Sequence, residues 1–153
     1  MNNAHFKPDE KNTVNPYLMV ADVQELISFL THVFGAQLIS KLYRPTGAIM
    51  HAEIKIGNSI VMAGEPTKAF GVFPGSLYIY VDDCDEVYKN AIAYGCISIF
   101  EPTTMTHAGE RYGGVKDKNG NIWWIATHIE DVTPEEQAKR IDDMRENWLG
   151  DEE

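Results

Sequence analysis

The chain states one structural unit twice. Val20-Ala21-Asp22-Val23-Gln24-Glu25-Leu26 opens an apolar-periodic stretch that stops at Phe34-Gly35. Sixty-one residues later, Val81-Asp82-Asp83-Cys84-Asp85-Glu86-Val87 opens another that stops at Tyr94-Gly95. A duplicated unit restricts the fold to two copies of one supersecondary motif packed together, and it lets equivalent positions be compared within a single chain.

Each copy carries the marks of a helix. Asp22 and Asp83 suit the N-cap, Glu25 and Glu86 stand three residues on as in a capping box, and Gly35 and Gly95 suit the left-handed stop. One short apolar segment precedes each helix and three follow it. In the first copy these are Val14–Val20, then Gln37–Tyr43, Ala48–Ile56 and Ser59–Ala63, with Gly57-Asn58 as a hairpin signal. In the second, Leu77, Ile79 and Val81 alternate with Ser76, Tyr78 and Tyr80, a period of two that predicts a strand. Ile97–Phe100, Tyr112–Lys116 and Asn121–Thr127 follow, the last two joined by Asn119-Gly120. The expected class is α+β: two tandem βαβββ modules whose curled mixed sheets surround a central cavity, followed by a C-terminal helix. The divisions are a flexible N-terminus (1–12), a first module (13–65), a linker (66–75), a second module (76–128) and an acidic C-terminal helix and tail (129–153). Thr133-Pro134-Glu135-Glu136 reads as the start of that last helix. Ala138, Ile141, Met144 and Trp148 give it one narrow apolar stripe, suited to its own body or to a partner subunit.

The net charge of −10 is concentrated in the tail, where residues 130–153 hold ten acids against three bases. No basic stripe could neutralise phosphates, so nucleic acid is not an expected partner. No apolar run approaches the ~20 residues of a membrane helix, and the N-terminus has no apolar signal core. A cytoplasmic location is the default expectation. Cys84 and Cys96 bracket the second helix, whose ends lie roughly 15 Å apart, beyond the ~7 Å limit for a disulfide. Both read as buried or idle thiols.

Alternation assigns the faces of the strands. Leu77, Ile79 and Val81 are aliphatic and belong against the helix, which leaves Ser76, Tyr78 and Tyr80 on the other side, facing the expected cavity. By duplication Asn15, Tyr17 and Met19 face it from the first strand, with Met62 and Trp124 from the hairpins. Tyrosine rings with wet hydroxyls suit a cavity wall. Arg111 could add a charge at the mouth. His51 and Glu53, two apart on one strand, share a face and could act as an acid–base or ligand pair. His128 lies four residues after Trp124 at a strand end, His107 is in a loop-like stretch and His32 is on a helix. No nucleophile–base constellation is readable, and Ser76 has no evident base.

The order and spacing of several segments resemble a known superfamily. They are Asn15-Pro16-Tyr17-Leu18, Phe34-Gly35-Ala36, Met50 through Ser59, Tyr80-Val81-Asp82-Asp83, Arg111 through Asp117 and Gly120 through His128. Together they are similar to the vicinal oxygen chelate superfamily, which includes glyoxalase I, extradiol dioxygenases, fosfomycin resistance enzymes and bleomycin resistance proteins, and within it to the PhnB-like branch. The resemblance implies metal ligands on the first, fourth, fifth and eighth strands. Those positions hold Asn15, Met62, Ser76 and Trp124 here. Divalent ions prefer imidazole, carboxylate or thiolate, so the ligand set is missing and no metal or other cofactor is expected.

The reading is therefore a metal-free protein that binds an aromatic or amphipathic small molecule, enzymic activity not being implied. Its ligand set is Asn15, Tyr17, Met62, Ser76, Tyr78, Tyr80, Trp124, Arg111, His51 and Glu53. The pocket so assembled is poor in acids, which argues against bleomycin, a cation. One alternative is a metal-dependent lyase or dioxygenase using displaced ligands, His51 and Glu53 first. Another is an interaction module working through the C-terminal helix. A homodimer is expected, because the family commonly pairs and curled sheets leave edge strands to cover. The cavity could form within one chain or between swapped halves.

Overall fold

The computed structural model describes residues 6–148. The first module is β1 (Tyr17–Met19), α1 (Val23–Phe34), β2 (Gln37–Tyr43), β3 (Ile49–Ile56) and β4 (Ser59–Gly64). The second is β5 (Ser76–Tyr80), α2 (Cys84–Tyr94), β6 (Ile97–Met105), β7 (Glu110–Lys116) and β8 (Ile122–His128), and α3 (Pro134–Trp148) follows. The capping signals act as their chemistry predicts. The Asp22 side chain accepts the Glu25 backbone N–H at 2.8 Å, and Asp83 accepts that of Glu86 at 3.0 Å. Gly35 and Gly95 close the helices at φ of 64° and 113°, a region that glycine enters without steric cost.

The sheets repeat one another. Their orders are β1-β4-β3-β2 and β5-β8-β7-β6, each with a parallel first pair and antiparallel hairpins. Tyr17 lies opposite Met62 in one and Tyr78 opposite Trp124 in the other, so the register is duplicated with the sequence. The two Cys residues are free and buried. Burial pushes the Cys96 thiol up to about 11.

One core serves both modules. It takes Leu18, Ala52, Ile54, Val61 and Ala63 from the first sheet, Val115, Trp123 and Ile125 from the second, and the buried faces of both helices. Phe29 of α1 sits with its ring centroid 5.7 Å from both Tyr94 of α2 and Trp123 of β8. The helices therefore lie between the sheets. The faces bearing Tyr17 and Tyr78 lie on the outside of the shared core, and the sheets are open rather than closed around a cavity within the chain. The period of two that separates the faces is the same in an open or a closed arrangement, so the strand pattern alone carries no signal for which one forms.

A buried polar knot ties the second hairpin to this core. Asp117, 6% exposed, accepts the backbone N–H of Asn119 and Asn121, the Asn121 side-chain amide and the Trp123 indole N–H, all within 2.8–2.9 Å. Asn121 in turn accepts the Gly75 N–H, which fixes the end of the linker. Asn119 exchanges two hydrogen bonds with the Asp22 backbone, clasping the second hairpin to the start of α1.

The linker covers β1, with Phe73 bridging Met19 and Gly75 so close to Leu18 that a Cβ would stand 2.5 Å from it. Among the described residues no such cover lies on β5. There Leu77, Ile79 and Val81, only partly buried, line a crevice of about 380 Å³ with Phe34, Val61 and Trp123. Helix α3 is held mainly by Arg140, which pairs with Glu130 at 2.7 Å and donates to the Thr106 carbonyl at 2.6 Å. Ile141 of its apolar stripe stays 36% exposed. The stripe's last side chain, Trp148, and the acids beyond residue 150 lie outside the described residues.

Candidate functional site

Apart from Asn15 and Arg111, the residues expected to bind a ligand separate into two groups, one on the outer face of each sheet. On the first sheet Tyr17, Met62 and Glu53 lie in one cross-strand row, because Met62 is the register partner of both its neighbours. The His51 ring sits 5.7 Å from that of Tyr17, and its Nε2 is 3.2 Å from the Glu53 carboxylate. The sequence reading missed Lys11, whose ammonium reaches Glu53 Oε1 at 2.5 Å. That contact, followed by burial acting the other way, leaves the Glu53 carboxyl below its ordinary range. Lys11 belongs to a segment expected to be loose, yet its side chain is 19% exposed and covers part of this face. Asn15 is taken up locally, its amide exchanging hydrogen bonds with the Asn12 backbone.

On the second sheet the aromatic residues form a belt. Consecutive ring centroids run from Tyr80 to Tyr78 (5.4 Å), Tyr78 to Tyr112 (5.8 Å), Tyr112 to Phe100 (5.1 Å) and Phe100 to Trp124 (5.9 Å). The Trp124 indole donates to the Ser76 hydroxyl at 2.8 Å, which fixes the ring across β5. Gly114 makes room for it: a Cβ there would stand 2.7 Å from Trp124 Cζ3. Tyr78 and Tyr80 remain 45% and 61% exposed, so the belt is a surface open to a ligand.

Tyr112, Phe100 and Glu110 were missed. Glu110 lies at the start of β7, opposite His128, and accepts hydrogen bonds from both tyrosines, Oε1 from Tyr80 at 2.5 Å and Oε2 from Tyr78. Burial and then Glu110 raise the Tyr78 hydroxyl above its usual range, and the bond to Glu110 chiefly raises that of Tyr80. Both phenols stay protonated donors at neutral pH. The face therefore carries one more acid than the sequence reading assigned to the pocket.

Arg111 is on the opposite face. Its guanidinium forms a two-pronged pair with Asp85 at the start of α2, at 2.6 and 2.7 Å. Alternation requires this, since Tyr112 and Gly114 share the outer side with Glu110. Arg111 fastens α2 to β7 and does not reach the outer face that carries the belt.

The residues present do not fit the metal that the resemblance implied. At the four expected ligand positions the side chains are an amide, a thioether, a hydroxyl and an indole. The amide of Asn15 and the hydroxyl of Ser76 already have partners. His51 and Glu53 make only a pair, with an ammonium already on the carboxylate, and among the described residues no three His, Cys, Asp or Glu side chains converge. His128 pairs with Asp131 instead, at 2.8 Å.

The duplicated fold defines a protein of the paired βαβββ class. Residues 11–125 match the family model described as Glyoxalase/Bleomycin resistance protein/Dioxygenase superfamily, and the chain belongs to that superfamily. An uncharacterized protein of Mycobacterium bovis is 25% identical over 135 residues, covering 80% of this chain and 88% of that one. Two solved structures are similar in fold. TioX from Micromonospora sp. ML1 has a TM-score of 0.62 at 24% identity, over 76% of this chain and 99% of that chain. A PhnB protein from Bacillus cereus has a TM-score of 0.61 at 18% identity, over 76% and 99%. Among the described residues no helix is long and apolar enough to cross a membrane.

Proposed function

We propose that this is a small-molecule-binding protein that works without a metal, of the PhnB-like branch, and that it holds an aromatic or amphipathic ligand against the outer face of the second sheet. The observation that carries the reading is the five-ring belt from Tyr80 to Trp124, left open on a face that the core does not need. Clusters of exposed aromatic side chains mark binding surfaces, because an apolar body gains area there while the hydroxyls stay wet. The ligand types at the four metal positions support the metal-free part.

A second copy completes the groove in this proposal. One chain places its two ligand faces on opposite sides of a single core, so two chains are needed to bring such faces together. Titration calorimetry with Ni, Zn, Mn and Fe is the first test: stoichiometric tight binding of any would overturn the metal-free reading. Light scattering should give twice the mass of one chain, and a monomer would remove the shared groove. Trp124→Ala should abolish binding of aromatic ligands while leaving the far-UV spectrum unchanged.

The contact between His51 and Glu53 favours one second reading, a metal-dependent lyase or dioxygenase with displaced ligands. It requires Lys11 to leave Glu53. His51→Ala should then abolish metal uptake, and unchanged metal content would end it.

A further inference from the structure

The Tyr80 end of the belt differs in charge from the rest of the face. Glu110 projects among the phenols, and each of its oxygens accepts one tyrosine hydroxyl. Among the described residues no lysine, arginine or histidine forms an ion pair with it. His128, its register partner, is turned to Asp131, and Lys116 lies at the other end of β7. A carboxylate offers about four acceptor positions, so the two phenols leave roughly half of them free. Beside the charge stand the faces of Tyr78, Tyr80 and Tyr112, whose quadrupoles attract cations.

We infer that Tyr78, Tyr80, Tyr112 and Glu110 form a head-group site for an organic cation, an ammonium or guanidinium carried on an apolar body that lies along Phe100 and Trp124. The inference rests on the groove reading above and names its ligand class. A bare metal ion is a poor fit, since a hard cation needs several oxygen or nitrogen ligands and only one carboxylate is present. An anion would face Glu110 directly. A diffuse organic charge makes use of both features, the carboxylate by attraction and the rings by cation–π contact, while its apolar part covers the belt. The hydroxyl bonds also hold the carboxylate in place before the ligand arrives, which lowers the ordering cost of binding.

Three probes with one aromatic body and different head groups test this: (1-naphthylmethyl)trimethylammonium, 1-naphthalenemethanol and 1-naphthaleneacetate, titrated against the full chain by Trp fluorescence and calorimetry. The cation should bind about tenfold tighter than the alcohol, and the anion weakest. Glu110→Gln should bring cation and alcohol within about twofold of each other, chiefly by weakening the cation. Should Glu110→Gln fail to fold, the paired Tyr78→Phe and Tyr80→Phe replacement must still shrink the preference, because it frees the carboxylate from its place. Equal binding of all three probes, lost in Trp124→Ala, would overturn the cation site and leave the groove standing. No binding of any probe would overturn both.

Discussion

Asp117 bears the largest single burden in the second hairpin, because four donors converge on one buried carboxylate. Removing it leaves the amide of Asn121 and the indole of Trp123 without acceptors in positions that are 0% and 1% exposed. Unsatisfied buried donors cost about 1–3 kcal/mol each, so Asp117→Ala should lower unfolding free energy by about 3–5 kcal/mol in urea. A loss under about 1 kcal/mol would mean that the network is not formed. The Lys11–Glu53 pair predicts a pH effect. Glu53 is depressed chiefly by Lys11, so its contribution to stability is present above the ordinary carboxylate range and is lost as pH falls through its lowered folded value. Lys11→Ala should move the Glu53 titration upward in carboxyl-carbon NMR, and an unmoved titration would show that Lys11 does not touch it. At this scale the sequence was only partly readable. Tyr17, Tyr78, Tyr80 and Trp124 followed from alternation. Lys11 did not, because contacts across 42 residues leave no local pattern.

The helices were legible as whole elements because their stops and starts are chemical: an aspartate oxygen for an orphan N–H, a glycine for a left-handed φ. Strand ends have no such markers. Read from the sequence, the seventh strand is Tyr112–Lys116; the strand in fact begins at Glu110, and this displaced boundary hid the one carboxylate of the belt. The sixth strand runs past Pro102 to Met105, five residues beyond the segment predicted through Phe100. A proline is tolerated there because β6 is an edge strand with register shifts around Phe100 and Thr103. Gly113 admits it, a Cβ there standing 2.9 Å from the Pro102 nitrogen. For α3 the fastening is narrow. Arg140→Ala should raise amide exchange throughout the helix while shifting the melting temperature of the body little, since Ile141 buries only part of its surface. Retained protection in that variant would mean that the apolar stripe, not Arg140, holds the helix.

Over the whole molecule, the shared core makes the two modules one folding unit. Phe29 touches its own helix partner Phe34, the other helix through Tyr94 and the other sheet through Trp123. Phe29→Ala should cost about 3–5 kcal/mol, and fluorescence and far-UV dichroism should report one coincident transition before and after. Separate transitions would show two independent halves. The back-to-back packing has a further consequence for what such a chain can become. Leu77, Ile79, Trp123 and Ile125 hold the protein together, while Tyr78, Tyr80 and Trp124, their immediate neighbours in sequence, take no part in the core. Core positions and the open aromatic belt are thus written on interleaved positions of the same strands, and replacements on one set fall lightly on the other. On the proposed reading of the belt, a lineage carrying this chain could exchange one guest molecule for another by single substitutions, with the architecture left untouched.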